Sequence, residues 1–116
     1  MDRSSWRWFG AAGHFIGAAH CRFHLCTEPR PGILVSSVGA YFPPHYDGKD
    51  QMEIGYMRTY ETMVFRTTGE TCDVAGCMCG LPVIVPHELE MEPANNAAEA
   101  QANHFEACER WARALA

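Results

Sequence analysis

The sequence is poor in long hydrophobic runs and in lysine, and each absence excludes a class of protein. No apolar run approaches the roughly 18 residues that a membrane-spanning helix needs. The N-terminal segment carries charges and tryptophans but lacks the apolar core of a signal peptide. We therefore expect a cytoplasmic protein whose thiols stay reduced. Lys49 is the single lysine among nine basic residues, so arginine dominates the basic contacts.

Other absences narrow the function. The net charge is -5 with histidines neutral. Such a surface repels phosphate backbones, which counts against nucleic-acid binding. No phosphate-binding loop is present, because Gly10, Gly13 and Gly17 neither follow a clear strand nor precede a Lys-Ser/Thr pair. The chain has no internal repeats. At 116 residues, 47% of them hydrophobic, it has the size and composition of a single domain, 1–116.

Three segments have the alternation or β-branched composition of strands: Cys21–Thr27, Ile33–Phe42 and Tyr60–Thr67. Between the first two, Glu28–Gly32 holds two prolines and a glycine, which predicts a hairpin turn. The opening, Trp6–Ala19, is predicted to be a strand or a close-packed loop against the sheet. Leu81–Val85 is predicted to be an edge strand or connector, because prolines flank or interrupt it. Gln51–Arg58 fits either a short strand or a helical turn.

The tail, Asn96–Leu115, has the pattern of a helix. Asn96 can cap it, and Glu99 stands at the acidic position of a capping box. Phe105 and Cys108 belong to its apolar stripe, which recurs at helical spacing. The expected fold is therefore α+β: a small antiparallel sheet of three to five strands (1–70), a zinc-knuckle-like cysteine cluster with a connector (71–93), and one C-terminal helix (94–116).

Three cysteines fall within eight residues and suggest a metal site. Cys72, Cys77 and Cys79 have the spacing C-x4-C-x-C, among glycines that permit a tight turn. A closed zinc site takes four Cys or His ligands. We predict one structural Zn²⁺ with Cys108 as the fourth ligand, which completes an all-sulfur set; His104, one turn away, is the alternative fourth ligand. Ordinary buried thiols and a disulfide are the competing interpretations.

A second group of ligand-type residues lies between His14 and Cys26. In a strand, Cys21 and His24 face opposite sides of the sheet, so no single metal binds every member. His24 and Cys26 share a face and, with His14, could hold a second metal. The competing interpretation is that both histidines form hydrogen bonds in or near the core.

A polar face of the predicted sheet supplies candidate catalytic residues. Four side chains are the candidates: His14, Arg22, His24 and Glu61. Ser36 or Ser37, and Tyr60, are further members of this face. An arginine, a serine-rich strand and a later glutamate, in this order, resemble mono-ADP-ribosyltransferases. There the arginine grips a dinucleotide and the glutamate orients the attacking group. The separations here are shorter than that fold generally needs, and an exposed pair between Arg22 and Glu61 is the alternative.

An aromatic group lies near the start of the chain, at Trp6, Trp8 and Phe9. It could form a partner-binding patch. Residues of this type more often complete a small core, so we expect them to be core.

Several strings resemble, in order, a group of small phage and prophage proteins of uncharacterised function. They run from Trp8 to Ile84 and reappear in the helix: WFGAAGHFI, CRFHLCT, LVSSVGAYFP, IGYMRTYETMVFR, CDVAGCMCGLPVI and HFEACERWA. The resemblance implies a viral accessory protein in the cytoplasm of an infected or lysogenic bacterial host. It implies no activity and no functional residue.

Size, charge and resemblance together favour a zinc-stabilised phage accessory protein that acts by binding another protein. Its specific version is inhibition of a host defence component, an anti-CRISPR-like role. One alternative is a small enzyme that uses the His14/Arg22/His24/Glu61 face, ADP-ribosyltransferase-like or metal-dependent. A zinc nucleic-acid-binding module is the other alternative, which the net charge weakens. We expect no membrane partner.

Overall fold

The structure, a computed structural model, describes residues 3–9, 14, 21–42, 51–54, 59–72 and 80–113. Within these ranges the chain forms a six-stranded antiparallel sheet and one α-helix. A 3₁₀ turn at Arg3–Ser5 opens the chain, and helix α1 (Ala97–Arg113) ends it. The strands are β1 (Arg7–Trp8), β2 (Cys21–Arg30), β3 (Ile33–Tyr41), β4 (Tyr60–Thr71), β5 (Pro82–Ile84) and β6 (Glu90–Ala94). The predicted α+β class is confirmed, with one strand more than the expected maximum.

The strands are ordered β1-β2-β3-β4, and both β5 and β6 pair with the far edge of β4. β6 pairs with the first half of β4 and β5 with its second half, so the two short strands lie end to end. Every strand pair is antiparallel. β3 is therefore a central strand with both of its edges paired.

The hairpin between β2 and β3 is confirmed, and its first strand is longer than predicted. β2 continues past Thr27 to Arg30 through an irregularity in its register with β3. Gly32 closes the turn at φ +94°, a backbone conformation that glycine adopts without strain. The short run predicted at Leu81–Val85 contains β5. Of the ambiguous segment Gln51–Arg58, Met52 forms an isolated bridge with Tyr41, and 55–58 lie outside the described residues.

Alternation along the strands gives the sheet two faces. Directly paired residues share a face, which the register identifies. The helix face carries Thr27, Val35, Ser37, Thr62 and Val64. The far face carries Cys26, Ser36, Val38, Glu61 and Met63. The core on the helix face joins Trp6, Ile33, Val35 and Val64 to Ala107, Cys108 and Ala112 of α1.

The predicted N-terminal cap of helix α1 is confirmed. The Oδ1 atom of Asn96 accepts a hydrogen bond from the backbone N–H of Glu99 at 2.8 Å. Small side chains such as Ala100 and Ala107 face the sheet, so the helix approaches it closely. An ion pair from Arg110 to Glu90 ties α1 to β6. Among the described residues, no helix has the length and apolarity needed to cross a membrane.

Gly39 in β3 lies directly beneath the ring of Tyr60. A Cβ atom added at Gly39 would stand 1.9 Å from Cδ2 of Tyr60, far inside any possible contact. The ring of Phe23 meets that of Tyr60 edge-on, with centroids 5.5 Å apart. Only glycine therefore fits at position 39 while the tyrosine ring lies there.

Candidate functional site

The far face of the sheet assembles a buried Ser–His–Glu cluster, hereafter the His14 cluster. Nδ1 of His14 lies 2.8 Å from Oγ of Ser36, and Nε2 lies 3.0 Å from Oε1 of Glu61. All three residues are at least nine-tenths buried. Two of the four predicted polar-face residues, His14 and Glu61, thus form a hydrogen bond with each other. Of the two candidate serines, Ser36 is the one that bonds His14.

The register explains how the strands present this cluster. Val38 pairs with Glu61 and Ser36 pairs with Met63, so Ser36 and Glu61 are diagonal neighbours on the far face. Diagonal neighbours stand about 7–8 Å apart, a gap that an imidazole ring bridges. The Phe65 ring meets the His14 ring edge-on at 5.7 Å between centroids, which holds the imidazole in place.

The chemistry of the three groups fixes the direction of the hydrogen bonds. A carboxylate at Glu61 only accepts, so Nε2 of His14 carries a hydrogen and donates it. When the imidazole is neutral, Nδ1 accepts from the hydroxyl of Ser36. When it is charged, Nδ1–H donates to that hydroxyl instead. In either case the imidazole and the hydroxyl of Ser36 remain hydrogen-bonded to each other.

A cavity of about 100 Å³ borders this cluster. Hydrocarbon side chains form most of its wall: Leu34, Phe65, Leu81, Pro82 and Ile84. His14, Ser36 and Cys26 supply the remaining, polar side. Burial raises the pKa of the Cys26 thiol to about 12, so it lines the cavity as a neutral thiol and is a poor nucleophile.

Arg22 and His24 make their described contacts elsewhere. The Arg22 guanidinium is exposed and stacks on Phe42, with Cζ 3.7 Å from the ring centroid. Nε2 of His24 donates to the backbone carbonyl of Cys21. Nδ1 of His24 is buried and has no hydrogen-bond partner in the described part of the chain. The candidate set of four is thus divided between the His14 cluster and the outer part of β2.

The helix face holds a second buried polar group, hereafter the His104 cluster. Nε2 of His104 lies 2.8 Å from Oγ1 of Thr27, and Nδ1 lies 2.8 Å from Oγ of Ser37. Ser37 in turn bonds Thr62, at 2.6 Å between hydroxyl oxygens. Burial lowers the pKa of His104 to about 4, so the imidazole is neutral at physiological pH. Both ring nitrogens are engaged, which leaves His104 no lone pair for a metal.

The cysteines predicted to bind zinc lie in different places. Cys108 is fully buried beside Thr27, and burial raises the pKa of its thiol to about 12. Thr27 is level with Val64 across the sheet, whereas Cys72 follows Val64 by eight residues along β4. At about 3.3 Å per residue, those positions are roughly 25 Å apart along the strand. Ligand sulfurs of one zinc ion lie only about 4 Å apart, so Cys72 and Cys108 do not share a site here.

The rest of the predicted zinc set, Cys77 and Cys79, lies outside the described residues. Within the described ranges, no group of three or more His, Cys, Asp or Glu residues is arranged to hold a metal ion. The zinc site therefore stays a prediction for the segment that begins at Cys72.

An aromatic patch with one arginine, hereafter the Trp8 surface, is formed by Arg3, Trp8 and Phe105. Trp8 is 48% exposed, whereas Trp6 is buried in the core. The ring of Trp8 lies 5.7 Å from that of Phe105 and 5.7 Å from that of Trp6. The expectation that these aromatics are core is right for Trp6 and wrong for Trp8.

Arg3 lies beside the exposed indole, whereas Arg7 precedes Trp8 in β1 and is directed to the opposite face of the sheet. The Cζ atom of Arg3 lies 5.1 Å from the Phe105 ring centroid, and its guanidinium pairs with Glu109. The hydrogen bond from Arg3, together with its charge, lowers the pKa of Glu109. Nη1 of Arg7 lies 3.2 Å from Oε1 of Glu28. Both guanidinium groups remain about half exposed, at 52% and 59% of the side chain, so they keep donors toward solvent.

Comparison of the chain with protein-family models, with curated proteins and with solved structures finds no match. The resemblance to phage proteins therefore stays a prediction. One sequence signal did point to the two clusters: Ser36 and Ser37 interrupt the apolar strand ILVSSVGAY. Adjacent polar residues in a buried central strand require hydrogen-bond partners on both faces, and each serine meets a histidine.

Proposed function

We propose that the protein acts by binding another protein through the Trp8 surface. The observation that carries the proposal is the exposure of Trp8, which at 48% is the most exposed large hydrophobic side chain among the described residues. Tryptophan and arginine are the residue types that most often dominate the binding energy of protein interfaces. The Trp8 surface combines one tryptophan with one arginine, Arg3.

The position of Trp8 favours tight recognition. Its backbone pairs with Thr27 of β2, and its ring rests against Phe105 of α1. An indole held from two sides loses little conformational freedom when a partner covers it. The guanidinium group of Arg3, which stacks on Phe105 and is about half exposed, keeps N–H donors available. The partner that fits is a protein with an apolar pocket for the indole and carboxylates at its rim.

Pocket size favours binding over the enzyme alternative. Small-molecule sites usually enclose about 300–1,000 Å³. The cavity beside the His14 cluster has about 100 Å³, and Arg22 and His24 do not line it. Ser36 also lies within a central strand, where the backbone N–H groups that could stabilise an oxyanion are committed to strand pairing.

The finer version of the proposal is a zinc-stabilised phage accessory protein that inhibits a host defence component. Its support is the sequence resemblance, the closely spaced cysteines and the net charge of -5. The charge also counts against the nucleic-acid alternative, because an acidic surface repels phosphate backbones.

The test is affinity capture from bacterial lysate, followed by reconstitution with the purified partner. We expect Trp8→Ala to raise the dissociation constant for the partner at least about thirtyfold, as truncation of a central interface tryptophan does. Val83→Ala is the matched control, because Val83 is also exposed (36%) but lies at the opposite edge of the sheet. Both variants should keep the wild-type melting temperature within about 2 °C.

Three results would contradict the proposal. One is the absence of a stoichiometric partner. Another is equal loss of binding in Trp8→Ala and Val83→Ala. The third is salt-sensitive retention on DNA or RNA with no protein partner, which would favour the nucleic-acid module instead.

A further inference from the structure

We propose that the cavity beside the His14 cluster binds a small, uncharged, mostly apolar molecule that carries one hydroxyl group. This site lies on the far face of the sheet and does not depend on the Trp8 surface. It is lined at one end by polar atoms and elsewhere by hydrocarbon, which is the usual composition of a small-molecule site.

The volume and the walls set the size of the ligand. An engineered apolar cavity of about 150 Å³ in another protein stays dry and binds benzene. The cavity here has about 100 Å³, so it suits a single small ring or a short chain. Phe65 and Ile84 offer apolar contact from two different strands, β4 and β5.

The polar end selects a hydroxyl group. Ser36 makes one side-chain hydrogen bond in the described structure, to His14, and is among the residues that line the cavity. With neutral His14, Ser36 donates to the ring and keeps lone pairs for a donor in the ligand. With charged His14, Ser36 accepts from the ring and keeps its O–H for an acceptor. A hydroxyl is both donor and acceptor, so it suits the site in either state.

The residues that line the cavity within the described ranges favour an uncharged ligand over an ionic one. The carboxylate of Glu61 is directed to His14, which stands between it and Ser36. Cys26, the other polar wall residue, is a neutral thiol because burial raises its pKa. An ion placed against the hydrocarbon walls would lose its hydration without gaining a counter-charge.

Phenol and benzene are the probes that separate the apolar part of this proposal from the polar part. Each is titrated into the full-length protein, and amide shifts of Leu34, Phe65 and Ile84 are followed by NMR. We expect saturable shifts with both probes, and a dissociation constant about tenfold lower for phenol, because phenol adds a hydrogen bond to Ser36 that benzene does not make. Ser36→Ala should remove the difference between the two probes.

A matched pair of variants on β5 keeps the test decisive if Ser36→Ala does not fold. Ile84 lines the cavity, whereas its neighbour Val83 is exposed on the other side of the strand. Ile84→Phe should fill the cavity and weaken both probes at least about tenfold, and Val83→Phe should leave both unchanged. Absence of saturable shifts in the wild type, or equal binding by the two variants, would overturn the site. Equal affinity for phenol and benzene in the wild type would overturn the hydroxyl assignment.

Discussion

The two histidine clusters lie back to back across the same central strand, and they differ in what surrounds them. Ser36 presents its hydroxyl to His14 on the far face, and Ser37 presents its hydroxyl to His104 on the helix face. His104 belongs to α1, forms its side-chain hydrogen bonds only with hydroxyl groups and is fully buried between the helix and the sheet. His14 meets a carboxylate and borders a cavity.

This difference separates a structural histidine from one that can serve a ligand. A buried imidazole with two hydroxyl partners is satisfied and neutral, and it fixes the seat of the helix on the sheet. A buried imidazole that links a carboxylate to a serine beside open volume instead lies next to space that a ligand can occupy. The same residue type thus has two physical roles, although each histidine bonds one of two adjacent serines of β3.

The largest effect should come from removing the imidazoles one at a time. We expect His104→Ala to lower the free energy of unfolding by about 4 kcal/mol, because it opens a closed void and leaves Thr27 and Ser37 short of partners. His14→Ala should cost about 2 kcal/mol, because the neighbouring cavity lets water reach Ser36 and Glu61. Urea unfolding at pH 7 measures both. A larger loss for His14→Ala would reverse the comparison.

Acid should act on the helix-face histidine in a defined window. Burial lowers the pKa of His104 from 6.5 to about 4, so the unfolded chain binds the proton first as the pH falls. Its contribution is complete above pH 6.5 and is lost as the pH falls toward 4. The difference between the two pKa values corresponds to roughly 3 kcal/mol.

The variant His104→Asn isolates this contribution from the carboxylates that titrate in the same range. Its free energy of unfolding, measured in urea from pH 7 to pH 4, should fall less steeply than that of the wild type. Exposed His87→Asn is the control and should keep the wild-type slope. Parallel curves for wild type and His104→Asn would show that folding does not lower the pKa of His104.

The adjacent serines should sharpen the comparison at a smaller scale. Ser37 bonds two partners, His104 and Thr62, whereas Ser36 bonds His14 alone among the described residues. We expect Ser37→Ala to cost about 2 kcal/mol and Ser36→Ala about 1 kcal/mol, by thermal or urea unfolding. Equal costs would mean that the two faces restrain their serines alike.

Zinc content should distinguish the predicted metal site from the helix contact. We expect one zinc per chain by elemental analysis, lost in Cys72→Ser and retained in Cys108→Ala, because Cys108 lies in the helix-face core. If the protein is produced in zinc-containing medium and the purified protein holds no zinc, the sequence-based prediction is wrong. Loss of zinc from Cys108→Ala would contradict the placement of that thiol.

The smallest effect, near zero, is expected for alkylation of the buried thiols. Burial raises the pKa of Cys26 and of Cys108 to about 12 from the ordinary 9.0. At pH 8 their thiolate fraction is about a thousandfold below that of an ordinary cysteine, so iodoacetamide should leave both unmodified in the folded protein. Peptide mass spectrometry reads this out, with urea-unfolded protein as the positive control. Rapid labelling of Cys26 alone would show that the far-face cavity opens to reagents.

The sequence predicted the elements with strong local signals. β2, β3 and β4 all begin at their predicted first residues, and Asn96 caps α1 as its type and position indicate. β6 was not predicted, because Glu90, Glu92 and Pro93 have low strand propensity and are held by pairing with β4. His14 and Glu61 were predicted as members of one face. Their contact depends on the register of three distant segments, which single-sequence patterns do not fix.

The glycine beneath the tyrosine ring in β3 restricts how this sequence can drift. Position 39 cannot gain even a methyl group until the ring at position 60 becomes smaller, and a smaller residue at position 60 would first leave a hole over Gly39. Either single step is a loss, so the two positions should change together or stay as they are. In distant relatives, that paired exchange would be a more durable mark of common descent than any one residue of the strand.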